Sequence, residues 1–196
     1  MRRFGCQCGK RLFFDDFICL SCGRPVGFSP MHMDLILIGD ERNGRPCRNR
    51  AEHAVCNWLI PPGDTSDFCL ACRLNRVIPN LGQPWNVTLW GRLERAKRRM
   101  LYGILRLRLP VGGDANRPAL AFEFLEDQRD NPLVEEAFVM IGHRAGTITI
   151  NLHEADDSRR HAVRESMQER YRTLLGHFRH ESGHYFWDLL AAPALE

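Results

Sequence analysis

The sequence predicts an α+β protein in two parts: a cysteine module over residues 1–80, organised by metal, and a helix–strand–hairpin–helix domain over residues 85–196. Three observations predict it. All 8 cysteines fall at or before Cys72. After residue 85 a helical period gives way to three short apolar runs with strand character. A long apolar stretch, Leu174 to Leu190, then carries His180-Glu181-Ser182-Gly183-His184.

The cysteines divide into Cys6, Cys8, Cys19, Cys22 and Cys47, Cys56, Cys69, Cys72. Close pairs such as Cys19/Cys22 and Cys69/Cys72 let successive backbone amides fold around a thiolate, and two pairs complete a tetrahedral four-cysteine zinc site. The wide gap between Cys47 and Cys56 makes the second group less regular, and spacing leaves a cross-braced pairing of the eight ligands open. Strands at Arg11–Phe14 and Phe17–Cys19, with Gly23 after the knuckle, fit a zinc ribbon. Arg2, Arg3, Lys10 and Arg11 surround it with positive charge that helps hold the thiolates. Disulfides need an oxidising compartment, and a redox CxxC is expected beside a βαβ pattern that the cysteine region lacks. The metals therefore fold a module too small to build its own core.

Hydrophobic residues at 44% and charged residues at 26% place the chain with soluble globular proteins rather than disordered ones. No run approaches the roughly 18 apolar residues of a membrane span. Asp15 and Asp16 interrupt the greasy stretch near the N-terminus, so no secretory signal is read and a cytoplasmic protein is the expectation. Residues 1–110 hold 18 Lys+Arg against 9 Asp+Glu, and residues 111–196 hold 9 against 15. Two four-thiolate zinc sites remove about four positive charges from the front half, which weakens a nucleic-acid reading.

Along the chain, Asp34–Ile38 reads as a short strand and Pro61-Pro62-Gly63-Asp64 as a turn. Pro79 to Pro84 reads as the boundary loop. Val87 to Leu107 has apolar residues at Leu89, Leu93, Ala96, Met100, Tyr102 and Ile104, a helical period. Its Arg92, Arg95, Lys97, Arg98 and Arg99 read as a solvated face. Ala119–Leu125, Phe138–Gly142 and Thr147–Leu152 read as strands, with His143-Arg144-Ala145-Gly146 as a hairpin turn. Asp156 or Asp157 caps a helical region from about Ser158. That region breaks near Tyr171 and continues through the histidine motif until Pro193 ends it.

On a helix, His180 and His184 leave the same face one turn apart. That is the spacing at which two imidazoles grip one Zn²⁺, and Glu181 on the flank can accept a proton from a water on the metal. The flanks Leu174, Leu175, Phe178, Tyr185, Phe186 and Trp187 suit a buried helix. The element order matches zincin-type peptidases, in which an edge strand lies above the cleft and the active-site helix below. The strand here is Thr147–Leu152 or its hairpin partner.

Thr149-Ile150-Asn151-Leu152, Glu154-Ala155-Asp156-Asp157 and Tyr171 through His180-Glu181-Ser182-Gly183-His184 to Asp188 resemble a family of bacterial zinc-binding metallopeptidases with an N-terminal zinc-ribbon region. The cysteine module and the Leu93–Arg99 helix resemble it too. The resemblance implies His180 and His184 as ligands, Glu181 as the base, and three zinc ions, two structural and one catalytic. It also implies a third catalytic ligand beyond the helix. His177 and Asp188 share the histidine stripe, but His177 is roughly 10.5 Å from His184 and Asp188 roughly 12 Å from His180 along the axis, too far to meet one tetrahedral ion. The expectation is therefore a zincin-like domain incomplete at its C-terminus. Its expected activity is peptide-bond hydrolysis on a peptide or protein substrate, with neither nucleic acid nor a membrane as partner. The rival expectation is a non-catalytic zinc-ribbon protein that docks a protein or nucleic acid and carries a degenerate peptidase-like scaffold.

Overall fold

A cysteine-rich segment of loops offers few long apolar runs, so its strands are short and its core is aromatic. The computed structural model describes residues 3–113, 118–129, 131–166 and 173–190. It contains two units that divide between Arg73 and Leu74.

The first unit is built on three two-stranded antiparallel ladders: β1 (Phe4–Gly5) with β2 (Arg11–Leu12), β3 (Val26–Ser29) with β4 (Asp34–Leu37), and β5 (Arg45–Pro46) with a later strand. Helix α1 (Arg48–His53) follows, then β6 (Leu59–Ile60), which pairs with β5, and α2 (Leu70–Arg73). Phe14 and Phe28 pack at 5.1 Å and Phe28 and Trp58 at 4.8 Å between ring centroids, all three fully buried. Gly44 lies at φ +88, and a Cβ there would sit 2.2 Å from the Ile60 carbonyl oxygen, so only glycine fits the approach of β5 to β6. The expected strand Arg11–Phe14 is shorter, and the expected Phe17–Cys19 strand is a single bridge from Ile18 to Pro25. Val26–Ser29 supplies the strand instead. All four of its residues are buried, so it shows no alternation to read. Arg2 lies outside the described residues.

The second unit begins with β7 (Asn75–Val77), α3 (Asn86–Arg106) and β8 (Ala121–Leu125). Strands β7 and β8 are parallel neighbours, so α3 is the crossover that parallel pairing requires. The sequence reading closes the cysteine module at residue 80, whereas residues 75–77 hydrogen-bond into this second sheet. β9 (Gly142–Arg144) and β10 (Thr147–Asn151) form a hairpin, and β10 runs parallel to β8, giving the order β7-β8-β10-β9. β9, the hairpin partner, is thus an edge and β10 is interior. The expected strand Phe138–Gly142 starts only at Gly142, because the turn sits later, at Ala145-Gly146. Gly146 has φ +85, and a Cβ there would meet Ala119 O at 2.8 Å.

A 3₁₀ turn at Leu152–Ala155 leads to α4 (Asp157–Ser166), whose first turn is capped by Asp156 Oδ1 accepting from Ser158 N at 2.8 Å. Helix α5 (Leu174–Leu190) closes the described unit. Phe122, Phe124, Ile148 and Ile150 point to one sheet face and are completely buried. Phe178 of α5 packs on Phe122 and Phe124 at 5.8 and 6.2 Å. The Lys97 Nζ of α3 lies 5.4 Å from the same two rings, so α3 and α5 share that face. The expected break near Tyr171 and the stop at Pro193 lie outside the described residues.

The solvated-face reading of α3 holds for Arg92 and Arg95, which are exposed, and fails for Lys97 and Arg98, at 0% and 2% exposure. Glu94, also fully buried, accepts from Lys97 Nζ at 2.7 Å, Asn75 Nδ2 at 2.7 Å and Trp90 Nε1 at 3.2 Å. Lys97 donates in turn to Asn75 Oδ1. The inward cations are tolerated because a carboxylate and an amide from β7 meet them there.

Candidate metal centres

The four sulfurs of Cys6, Cys8, Cys19 and Cys22 all lie within 4.8 Å of one another, and so do those of Cys47, Cys56, Cys69 and Cys72. The eight cysteines group as two blocks in chain order, not cross-braced. Sulfur separations are 3.7 Å for Cys6–Cys22, 3.6 Å for Cys8–Cys19 and 3.5 Å for Cys56–Cys69. A tetrahedral zinc with Zn–S of about 2.3 Å places its sulfurs roughly 3.8 Å apart. The donor sets therefore fit Zn²⁺ in both number and spacing.

Local backbone makes each cluster. In the first, Gly9 N donates to Cys6 O at 2.9 Å and Gly23 N to Cys19 O at 2.8 Å, which folds each pair into a knuckle. In the second, Trp58 N donates to Cys56 Sγ and Cys69 N to Cys47 Sγ, both at 3.4 Å. The Arg24 guanidinium beside Cys22 pulls that thiol down to about 6, and the Cys22 amide lowers Cys19. Burial pushes the Cys69 thiol well up, and its three neighbouring cysteines add to the rise. Four buried thiols cannot all ionise beside one another without a compensating cation, and a divalent ion supplies it.

On α5, His180 Nε2 and His184 Nε2 are 3.3 Å apart, with the rings nearly perpendicular at 88°. Two imidazoles on one tetrahedral zinc, at Zn–N of about 2.0–2.1 Å, bring their nitrogens to roughly 3.3–3.4 Å. Both histidines face outward, while Glu181 between them is 8% exposed and makes no hydrogen bond or ion pair among the described residues. Phe178 and Tyr185 anchor the inner face of the helix, and the Tyr185 hydroxyl donates to Pro118 O at 3.2 Å.

No third His, Cys, Asp or Glu among the described residues joins this pair within coordination range. The two neighbours on the stripe are engaged elsewhere. His177 Nε2 faces Glu154 Oε2 at 3.4 Å, and Asp188 Oδ2 faces His143 Nδ1 at 3.8 Å. Gly146 N donates to His143 Nε2 at 3.0 Å, which leaves the ring proton on Nδ1 toward Asp188. His143 and Glu154 were not read from the sequence as partners of this helix. Their separations along the chain carry no periodic signal.

A cleft of about 640 Å³ in the first unit is lined by Ile38, Asp40, Arg42, Arg45, Pro46 and Pro62, among others. Its charges are met internally: Arg42 pairs with Asp40 at 2.7 Å, and Arg45 donates to Ser66 O at 2.5 Å. It holds neither a cysteine nor a histidine.

Residues 86–196 match the model of a family described as "Putative zinc-binding metallo-peptidase", and residues 3–83 match that of a zinc-ribbon domain. Uncharacterized proteins of Mycobacterium bovis and of Mycobacterium tuberculosis strains CDC 1551 and H37Rv are 40% identical over 197 residues. That covers 99% of this chain and 55% of each relative, so the chain spans about half the length of these curated relatives. No solved structure matches significantly.

Proposed function

Because the chain belongs to this family of zinc-binding metallopeptidases with an N-terminal zinc-ribbon domain, we propose that its second unit carries the zinc and the base of a peptide-bond hydrolase. The observation that carries the reading is the 3.3 Å separation of His180 Nε2 and His184 Nε2 on one exposed helix face.

His180 and His184 hold the ion, and the aromatic seat of α5 on the sheet keeps their imidazoles in register. A zinc ion held there would supply Lewis-acid polarisation of the scissile carbonyl and a more acidic water. Glu181 would accept the proton of the attacking water and return it to the leaving amine, so one carboxylate would serve as base and then acid. The third ligand comes from outside the described residues, and the relatives' greater length leaves room for it. The substrate class is a peptide or protein. The two cysteine centres hold structural zinc.

The absence of a third ligand among the described residues favours a second reading, a zinc-ribbon binding protein with an inactive peptidase-like half. Metal counting separates the two. In a version extended to the relatives' length, three tightly held zinc ions, with the third lost in His180→Ala, support the hydrolase, and two support the binder.

A further inference from the structure

The two cysteine centres differ in exposure, and side chains beside one reach into the backbone of the other. Cys47, Cys56, Cys69 and Cys72 are all buried, whereas Cys8 and Cys22 of the first centre are exposed. Arg50 stands three residues after Cys47 on α1, the helix that begins directly after that cysteine. Its Nη2 donates to Phe17 O at 2.7 Å and its Nη1 to Val26 O at 2.9 Å, with the guanidinium 4.9 Å over the Phe17 ring. Those carbonyls belong to the hairpin that closes the Cys19/Cys22 knuckle: Val26 N donates to Phe17 O and Cys19 N to Arg24 O, both at 2.9 Å. Asn57, fully buried next to Cys56, donates from Nδ2 to Phe14 O at 2.7 Å and Asp16 O at 3.2 Å. Its own carbonyl accepts from Phe28 N at 2.8 Å.

We propose that the two centres are coupled in metal binding through Arg50 and Asn57, and that the exposed centre is the one that exchanges its ion. Metal at the buried centre fixes α1 and the Cys56–Trp58 segment. Arg50 and Asn57 are then held where they complete the Phe14, Asp16, Phe17 and Val26 carbonyls that flank the Cys19/Cys22 knuckle, so its four sulfurs stay poised. Coupling of binding free energies is reciprocal, and each loaded centre raises the affinity of the other by the same factor. Exchange rates need not be equal. A chelator or competing thiol reaches Cys8 and Cys22 in the folded state, while the buried centre opens only when its surroundings unfold. This inference concerns the cysteine centres and does not depend on the hydrolase reading.

The test uses the full chain loaded with zinc, a chromophoric chelator, and iodoacetamide added at intervals, with labelled cysteines located by mass spectrometry. Cys6, Cys8, Cys19 and Cys22 are expected to be labelled before any of Cys47, Cys56, Cys69 and Cys72. Simultaneous or reversed labelling overturns the order of exchange. Zinc affinity of the exposed centre is then measured in Arg50→Met and, separately, in Asn57→Ala. Each is expected to lower it about ten-fold or more, while Arg48→Met, exposed on the same helix and paired with Glu52, leaves it unchanged. Unchanged affinity in both Arg50→Met and Asn57→Ala overturns the coupling.

Discussion

Lys97 donates to Glu94 at 2.7 Å with neither side chain reaching solvent. A buried pair of this kind is costly to break, because the survivor keeps its charge without its partner. Lys97→Ala and Glu94→Ala are each expected to destabilise the second unit by about 3–5 kcal/mol. Removing the charge of the exposed Arg95 on the same helix, as Arg95→Ala, should cost no more than about 1 kcal/mol, the scale of an exposed ion pair. Urea unfolding followed by circular dichroism measures both, and equal small effects at all three positions would contradict the buried network.

That helix shows where a sequence is legible and where it is not. Apolar spacing placed it at Val87 to Leu107, within a residue of the observed Asn86–Arg106 at each end. It did not reveal that Lys97 and Arg98 turn inward, because the Asn75 amide that receives Lys97 comes from a strand before the boundary loop. The cysteine blocks were legible because close pairs are a local signal. The His180/His184 face was legible because one turn of helix sets it. The partners of His177 and Asp188 depend on how the Leu152–Ala155 turn and the β9–β10 hairpin approach α5, and that is set by tertiary packing.

Acid should destabilise the second unit in two stages. Desolvation lowers the pKa of His153, so the unfolded chain binds its proton more readily than the folded one. That contribution is fully present above about pH 6.5 and declines as pH falls below it. Asp127 is lowered chiefly by its hydrogen bonds from Arg129, and it also accepts from Val139 N at 2.9 Å and Asn151 Nδ2 at 2.7 Å. Its contribution is present above about pH 3.9 and is lost as pH falls through its lower folded value. Asp127→Asn is expected to flatten the second stage and, because the Asp127 charge raises the pKa of His153, to deepen the first. Melting temperature against pH, with metal held constant, measures it.

Gly146→Ala places a Cβ 2.8 Å from a backbone oxygen at a φ of +85. The loss should exceed the roughly 1 kcal/mol that positive φ alone imposes on a side chain. The hairpin that holds His143 against Asp188 would shift with it. Gly183→Ala, whose Cβ would meet nothing within 4 Å, should be neutral or slightly stabilising in its helix. Thermal unfolding of the two variants side by side makes the comparison, and equal losses would show that the turn is not constrained as described.

Chelation should unfold the cysteine module and spare the second unit. The aromatic cluster of Phe14, Phe28 and Trp58 is a small core for some 70 residues, so metal binding supplies much of the folding free energy there. Hydrogen exchange mapped by peptide is expected to show lost protection across residues 3–73 in strong chelator, with β8, β10 and α3 still protected. Protection retained throughout the module would show that it folds without metal.

For the proposed hydrolase, activity depends on completing the histidine site. Two imidazoles hold zinc weakly and leave its position poorly fixed, so water is not aligned against a scissile carbonyl. Residues 1–196 are therefore expected to hydrolyse peptides feebly, and a version extended to the relatives' length to gain both zinc affinity at His180/His184 and activity. In the extended form Glu181→Gln should abolish hydrolysis while retaining the metal, since it removes the base and neither ligand. His184→Ala should lose both. Bound zinc and peptide cleavage are measured for each protein. Full activity in residues 1–196 would show that a third ligand lies among the residues at hand. An inert extended form with only two zinc ions would assign the second unit to the binding-protein reading instead.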